Sequence, residues 1–377
     1  MNLAILGFEG LGRKVYEILI AKKSLLFRNY DVNIKYIYTD NQDNSLLPGI
    51  ATNDYNKIIN DDNVDLIIDT LENEKAFEYI KTALYSRKHV ITASSDVISN
   101  HYVELEAIAI DMQVKLLFSA TVGGNMPIIS SLLDVSPYNE ITKIEAILDD
   151  DINNLLSFMS RDNMNFRSAL ESAKYSSNEL ELDLDGKKSS KELAILIMLA
   201  YNTTINIDEI YRYSISNISE DVILVTNLLG YKIKYMASSY LMQSRLNAMI
   251  EPVLVKSTDL LSSTENKSGI IRYYGTYTDY QIFSGKNKGY LNANSIISDI
   301  TKVLSDYRQK FMPRNSYICN GIRHIKSRYL IKPKIMNDFF KSITEKNLDN
   351  IIVTSIISGD DILNHIQEIQ FYARIID

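Results

Sequence analysis

The chain has 377 residues and a mass of 43.0 kDa, more than one ordinary domain holds, so two or three domains are expected. Its 46% hydrophobic and 23% charged residues are a globular composition, which excludes a disordered or collagen-like chain. The 40 basic and 47 acidic residues give a net charge of −7 with no long run of one sign, which argues against nucleic acid as the main partner, since phosphate binding needs a concentrated basic face. Residues 2–6 (NLAIL) read as a short apolar strand, followed by a glycine-rich turn at 7–12 and a helix over 13–22. Strands are expected at 32–38, 64–68, 89–93 and 114–118, with helices at 74–86 and 102–112. Strands spaced by helices imply βαβ units and a parallel sheet covered by helices. A glycine turn directly after the first strand points to a doubly wound, Rossmann-type nucleotide-binding sheet, so the expected fold class is α/β.

Further along, the spacing predicts a strand at 141–148, helices at 166–174 and 191–201, strands at 250–255, 269–274 and 280–283, and a helix at 296–307. That pattern is a mixed α+β second domain. The tail reads strand 329–332, helix 335–344, strand 350–356, helix 361–369 and strand 372–376, a small α+β unit. Expected boundaries are 1–130 for the dinucleotide-binding domain, 131–311 for a substrate and dimerisation domain, and 312–377 for the tail. Residues 290–311 are expected to pack back on the first domain.

One cysteine, Cys319, cannot form an internal disulfide, and the opening MNLAILGFEG lacks the basic start and long apolar core of a signal peptide. No window nears ~18 uninterrupted apolar residues, so a membrane partner is not expected and the compartment expected is the cytoplasm. The four histidines, His89, His101, His324 and His365, show no metal-ligand spacing, and no metal is expected.

The stretch 89–129, HVITASSDVISNHYVELEAIAIDMQVKLLFSATVGGNMPII, resembles the homoserine dehydrogenase family, whose members carry HVVTANK, a helix, and then EASVGGGIPII. Further similarities follow in order: LGYKIK at 229–234, EP at Glu251-Pro252, FSGKNKG at 283–289 and SIISDI at 295–300. The tail resembles a shortened ACT domain, a regulatory module of some family members. The resemblance implies NADP or NAD as cofactor, an amino-acid-like small molecule as ligand, and the interconversion of L-homoserine and aspartate 4-semialdehyde.

Carried over residue by residue, that implication meets substitutions. The family's first turn is G-x-G-x-x-G; here Gly7 and Gly12 match, while Glu9 stands at the second glycine. A carboxylate there is expected to obstruct the cofactor pyrophosphate and make binding weak. The alternative is a turn re-registered on Gly7, Gly10 and Gly12, with Arg13 reaching a phosphate. As a bland reading, Glu9 caps the helix N-terminus. Asp40, after the second strand, is the residue type that holds a ribose hydroxyl. In the family's TANK motif Thr92 and Ala93 remain, followed by Ser94 and Ser95, so Ser95 stands where the resemblance implies a catalytic lysine. Serine neither holds a positive charge nor relays a proton readily at neutral pH. Ser119 stands at the family's sodium-binding glutamate, and Asp149-Asp150-Asp151 at its NGT turn, where they read as a solvated acidic turn.

The family's D-V-E-G survives in form as Asp183-Leu184-Asp185-Gly186. The glutamate before it maps to Ser177, with Glu179 close by. The acid and the lysine that follow map to Lys188 and Glu192, with their charges exchanged. At i, i+4 they share a helix face and keep an ion pair while reversing the chemistry. Lys188 as a replacement acid stays open. The tail loop reads Lys332-Pro333-Lys334 where ACT domains carry D-x-P-G, which favours a structural remnant over an amino-acid sensor. The candidate catalytic residues are therefore Asp183, Lys188, Glu192 and Ser95. The candidate cofactor residues are Gly7, Glu9, Gly10, Gly12, Asp40, Thr92, Ala93 and Ser94. The expected function is a homoserine dehydrogenase-like homodimer that has lost the parent reaction and serves as a ligand-binding or regulatory paralogue, with an active paralogue as an alternative partner. The competing expectation is an active NAD(P)-dependent oxidoreductase with a rebuilt site.

Overall fold

Near-continuous apolar runs become strands buried on both faces: Leu3–Leu6 and Leu66–Asp69 are buried throughout. The computed structural model describes residues 1–40, 47, 49–71, 73–123, 126–162, 164–175, 183–242, 244–264, 269–284, 290–305, 307 and 312–376. These residues cluster into two units, 1–135 with 287–314, and 136–286 with 315–377.

The first unit carries β1 (Asn2–Leu6), α1 (Leu11–Leu26), β2 (Asn33–Tyr38), β3 (Ala51–Thr52), α2 (Tyr55–Ile59), β4 (Leu66–Asp69), α3 (Lys75–Tyr85), β5 (His89–Thr92), α4 (Ser95–Met112), β6 (Leu116–Leu117) and α5 (Ile128–Val135). All strand pairs are parallel, in the order β3-β2-β1-β4-β5-β6. The order reverses between β1 and β4, the switch point at which doubly wound sheets bind ligands. The helix Leu291–Leu304 belongs to this unit: its Ala293, Ile296, Ile297 and Ile300 join Leu3, Ile5, Leu19 and Ile68 in one core. Lys115 secures that helix by donating from Nζ to the carbonyls of Lys302 (2.9 Å), Val303 (3.0 Å) and Ser305 (2.5 Å), satisfying the carbonyls a helix end leaves open.

The second unit carries β7 (Ile141–Ile147), α6 (Asp150–Asp162), α7 (Phe166–Tyr175), α8 (Lys187–Tyr201), β8 (Tyr211–Arg212), α9 (Glu220–Leu228), β9 (Tyr231–Met242), β10 (Arg245–Lys256), β11 (Ile270–Gly275) and β12 (Tyr280–Phe283). The tail adds β13 (Lys326–Ser327), β14 (Tyr329–Pro333), β15 (Thr344–Leu348), β16 (Ile351–Thr354), β17 (Ile357–Ser358) and β18 (Ile369–Ile376). Nine strands follow the order β12-β11-β7-β9-β10-β18-β14-β16-β15, and β8 pairs with β10 as the tenth. The tail strands β14, β15, β16 and β18 continue this sheet, because β18 pairs in parallel with β10 over Val253–Val255 and antiparallel with β14, while β13 and β17 pair with each other. A buried ion pair fastens the join: Arg374 Nε donates to Glu251 Oε1 at 2.6 Å, and the Tyr372 hydroxyl donates to Glu251 Oε2 at 3.0 Å.

Several elements differ from the sequence expectation. The acids Asp149-Asp150-Asp151, expected as a solvated turn, open the 13-residue helix α6. Asp149 Oδ1 accepts the N–H groups of Asp151 (2.9 Å) and Ile152 (2.8 Å), and negative charge suits a helix N-terminus. The strand expected at 250–255 is twice as long, and its antiparallel partner β9 went unpredicted. Helix α4 begins at Ser95 rather than 102, because the Ser94 hydroxyl caps it by accepting the Val97 N–H at 3.2 Å.

Candidate functional site

The candidate residues fall into two groups, one in each unit. In the first unit, Gly7 follows β1 with φ +92 and donates its N–H to the Tyr38 carbonyl at 3.0 Å. Gly12 lies in the first turn of α1, where a side-chain carbon would stand 2.0 Å from the Gly7 carbonyl oxygen and 2.7 Å from Thr70 Oγ1. Both positions therefore exclude any side chain, as a dinucleotide cradle requires of its first and third glycines. Gly10 forms the tip with φ +49 and open space around it. Glu9 is exposed; its carbonyl accepts the Gly12 N–H at 3.2 Å, and no side-chain cap of α1 by Glu9 is among the described hydrogen bonds. Arg13, the alternative phosphate ligand, is paired with Glu17 at 3.1 Å on the exposed face of α1.

Asp40 stands exposed two residues past β2. Along the same sheet edge, Thr92 closes β5 and donates its hydroxyl to Asp69 Oδ2 at 2.7 Å, while the Ala93 N–H donates to the Asp69 carbonyl at 3.1 Å. The Ser94 N–H donates to Thr92 Oγ1 at 3.0 Å. Ser95 is the first residue of α4 and half-buried. Thus Thr92, Ala93 and Ser94 are knitted to β4 and the helix cap, and Ser95 presents only a short hydroxyl. Asp69 is a residue the sequence reading missed. It is fully buried at the end of β4, and burial pushes its carboxyl up to about 6 although the Thr92 hydroxyl and the Leu71 N–H oppose the rise. Its signal was an acid closing an otherwise apolar strand. The glycine turn and the sheet edge fit a dinucleotide by these observations: a cradle closed to side chains, an acid past β2 and an open glycine tip.

Ser119, expected to have lost a cation ligand, donates from Oγ to Asp299 Oδ1 at 2.7 Å and accepts from Lys302 Nζ at 3.1 Å. Asp299 is fully buried and also accepts the Ser119 N–H at 2.8 Å, so this group ties the helix Leu291–Leu304 to its sheet.

In the second unit, Asp183, Lys188 and Glu192 come together at the N-terminus of α8. Asp183 is buried and committed: Oδ1 accepts the Lys188 N–H at 2.8 Å, and Oδ2 accepts the Ser189 N–H at 2.8 Å and its hydroxyl at 2.9 Å. It caps the helix. Gly186 has φ +74, and a side-chain carbon there would lie 2.7 Å from the Tyr235 hydroxyl and 2.7 Å from Ile250 Cγ2. Lys188 keeps much of its surface open although protein groups crowd its charge. The Glu192 carboxylate one turn on holds its ammonium above the usual lysine range against burial, with Asp149, Asp183 and Asp151 adding to the effect. Glu192 itself is buried. Burial also pushes the Asp149 carboxyl up. Tyr235, on β9, was missed because one tyrosine among 25 carries no signal. Its hydroxyl is buried and without a hydrogen-bond partner among the described residues. Burial first, then the Asp183 and Asp185 carboxylates, pushes this phenol well above its ordinary range. The mapped Ser177 and Glu179 lie outside the described residues, as do Gly124 and residues 285–289 of the FSGKNKG stretch.

The tail loop places Lys332 and Pro333 at the end of β14, where Lys332 Nζ donates to Ser219 Oγ (3.2 Å) and Asp221 Oδ2 (2.6 Å) beside α9. Among the described residues no three His, Cys, Asp or Glu side chains are grouped to hold a metal, and no helix is long and apolar enough to cross a membrane.

Residues 127–301 match the family model described as homoserine dehydrogenase. The homoserine dehydrogenase of Helicobacter pylori is 26% identical over 311 residues, covering 80% of this chain and 73% of that protein. The Bacillus subtilis homoserine dehydrogenase is also 26% identical, over 264 residues that cover 69% of this chain. The chain spans only 61% of that relative's length. The chain is thus similar to homoserine dehydrogenases in its family-model match and in its curated relatives. Its fold agrees with that of a homoserine dehydrogenase from Thiobacillus denitrificans at a TM-score of 0.90, 18% identity, and coverage of 100% and 98% of the two chains. It also resembles a hyperthermophilic archaeal homoserine dehydrogenase solved in complex with NADPH, at a TM-score of 0.67, 20% identity, and coverage of 80% and 97%. This family of oxidoreductases uses NAD(P).

Proposed function

We propose that this chain is a homoserine dehydrogenase-like protein that has kept a dinucleotide cradle and a small-molecule site but lost the parent interconversion of L-homoserine and aspartate 4-semialdehyde. The carrying observation is the helix face of α8. Hydride transfer to an aldehyde builds negative charge on oxygen, and a cation must meet that charge. Here the buried position Glu192 offers a carboxylate instead, and its charge raises the Lys188 ammonium above the usual lysine range, which makes Lys188 a weaker acid. Asp183 has both carboxylate oxygens occupied by α8, so it serves as a cap and not as a base. Ser95 supplies no charge. The bound cofactor would supply or accept the hydride; Gly7, Gly10, Gly12 and Asp40 would hold it, with Glu9 lowering its affinity.

The role that follows is binding or regulation in the cytoplasm, as a homodimer formed through the second unit. An amino-acid-like small molecule is the ligand. Light scattering that shows a monomer at micromolar concentration would remove the dimer from this reading. The functional test is homoserine-dependent reduction of NAD and NADP by the purified protein, free of host enzyme, alongside calorimetric titration of both cofactors. Binding without turnover supports the proposal; ordinary turnover refutes it.

The Tyr235 hydroxyl favours a second reading, an active oxidoreductase with a rebuilt site, because it is a buried donor without a partner among the described residues, against Gly186 and near the Asp183 carboxylate. Turnover of any hydroxy or carbonyl amino acid that disappears in Tyr235→Phe would establish that reading instead.

A further inference from the structure

The C-terminal end of α8 borders a pocket of about 370 Å³ whose lining residues all belong to the second unit. Helix α8 has 15 residues, which at ~1.5 Å each sets this end roughly 20 Å from Lys188 and the capped start. The pocket is therefore separate from the candidate site.

Three tyrosines line it from three stretches of chain: Tyr138 before β7, Tyr277 between β11 and β12, and Tyr317 ahead of the tail strands. Tyr138 is 63% exposed and Tyr277 81%, so neither ring is spent on the core. Two asparagines fix the frame. Buried Asn139 accepts the Tyr277 N–H at Oδ1 (2.9 Å) and donates from Nδ2 to the Thr278 carbonyl (2.7 Å), which pins the turn carrying Tyr277. Asn315 donates its N–H to the Asn202 carbonyl (2.8 Å) and Nδ2 to the Tyr201 carbonyl (3.0 Å), which ties the segment bearing Tyr317 to the helix end.

Charge decides what such a pocket takes. Its described lining holds no Lys, Arg or His, and its one charged side chain is Glu140, which is exposed and in none of the described ion pairs. The end of α8 adds the negative pole of a helix. Tyrosine rings attract cations through their faces. A carboxylate or phosphate would meet like charge here, whereas an ammonium would find a carboxylate, a helix pole and aromatic rings.

We propose that this pocket binds a small organic ammonium ion, with Glu140 as its counter-charge and Tyr138, Tyr277 and Tyr317 as an aromatic wall. The lack of a basic group in the described lining sets it apart from a site for a whole amino acid, whose carboxylate would face Glu140 with no cation beside it.

The test is calorimetric titration of the full chain with choline and with butylammonium, each beside a neutral counterpart: the choline analogue with carbon in place of nitrogen, and butanol. At least one cation is expected to bind in the millimolar range, with its neutral counterpart at least about tenfold weaker. Tyr277→Ala and Glu140→Gln are each expected to weaken that cation at least about threefold, while Tyr277→Phe, which keeps the ring, stays within about twofold. Tyr85→Ala, at an exposed tyrosine of the first unit, is expected to change nothing. Thermal melts matching the unaltered protein confirm that the variants are folded. The proposal is overturned if both cations fail to bind at tens of millimolar, if the neutral counterparts bind equally well, or if neither Tyr277→Ala nor Glu140→Gln weakens binding.

Discussion

The glycine turn of the first unit and the start of α8 in the second differ in what holds their key residues, close backbone packing at the turn and a capping carboxylate with a crowded glycine at α8. At the turn, Gly7 and Gly12 remain because packing forbids anything else: a side-chain carbon on Gly12 would sit inside the Gly7 carbonyl. At α8, Asp183 and Gly186 remain for the same kind of reason, one as a cap and the other pressed against Tyr235 and Ile250. The side chains between and around them, Glu9, Lys188, Glu192 and Ser95, are those where the family resemblance implies other residues. Positions fixed by backbone geometry persist with the fold, while positions that only serve chemistry are free to change once the chemistry is released. The pattern of retention is therefore a record of steric need, and it does not certify activity.

That contrast can be broken or sharpened by substitution. Gly12→Ala has the largest expected effect, a loss of at least about 3 kcal/mol in denaturant melts, because the added carbon must displace backbone. A loss below about 1 kcal/mol would show that the turn relaxes and that steric need does not preserve it.

The buried Asp69 comes next. Its folded carboxyl, near 6, lies above the unfolded value, so the folded state binds the extra proton between about pH 4 and 6. Stability is therefore expected to fall as pH rises through that window, by at most about 3 kcal/mol for a shift of this size. In Asp69→Asn the melting temperature should lose this decline between pH 4 and 7. An unchanged pH profile would mean that Asp69 does not titrate there.

Asp183→Ala removes three hydrogen bonds to the start of α8 and is expected to cost about 2 kcal/mol. If Asp183→Ala melts like the unaltered protein, the cap is not what retains this acid. The smallest expected effect is Glu9→Ala, within about 0.5 kcal/mol, because the residue is exposed. A larger loss would make Glu9 structural and place it with Gly7 and Gly12.

Legibility in the sequence followed the same division. Short strands were placed to the residue at Asn2–Leu6, from its apolar run, and at Tyr280–Phe283. The long pair β9 and β10 was hidden because buried Lys234, Ser238, Ser239, Asn247 and Glu251 interrupt any apolar alternation. Lys234 and Glu251 are tolerated through partners far along the chain, Asn153 Oδ1 for Lys234 Nζ at 3.0 Å and Arg374 for Glu251. Local pattern cannot supply such partners. At the candidate site, the family resemblance picked out Asp183, Lys188 and Glu192, and the i, i+4 spacing put Lys188 and Glu192 on one helix face, but neither could tell a capping carboxylate from a free one. Tyr235 stayed invisible because burial, not identity, makes it notable, and Asp69 left only the signal of an acid closing an apolar strand.

The central claim is that chemistry has been lost from a frame that persists. Two missing cationic contributions, at Ser95 and Glu192, at ~3–4 kcal/mol each would lower the rate by roughly 10⁴-fold or more if even partly additive. The most direct test is homoserine-dependent reduction of NAD and NADP, measured side by side for the unaltered protein and for the combined variant Ser95→Lys, Lys188→Asp, Glu192→Lys and Glu9→Gly. The account predicts no measurable rate for the unaltered protein and a detectable rate for the variant. Ordinary turnover by the unaltered protein would contradict it and make Lys188 the leading candidate acid.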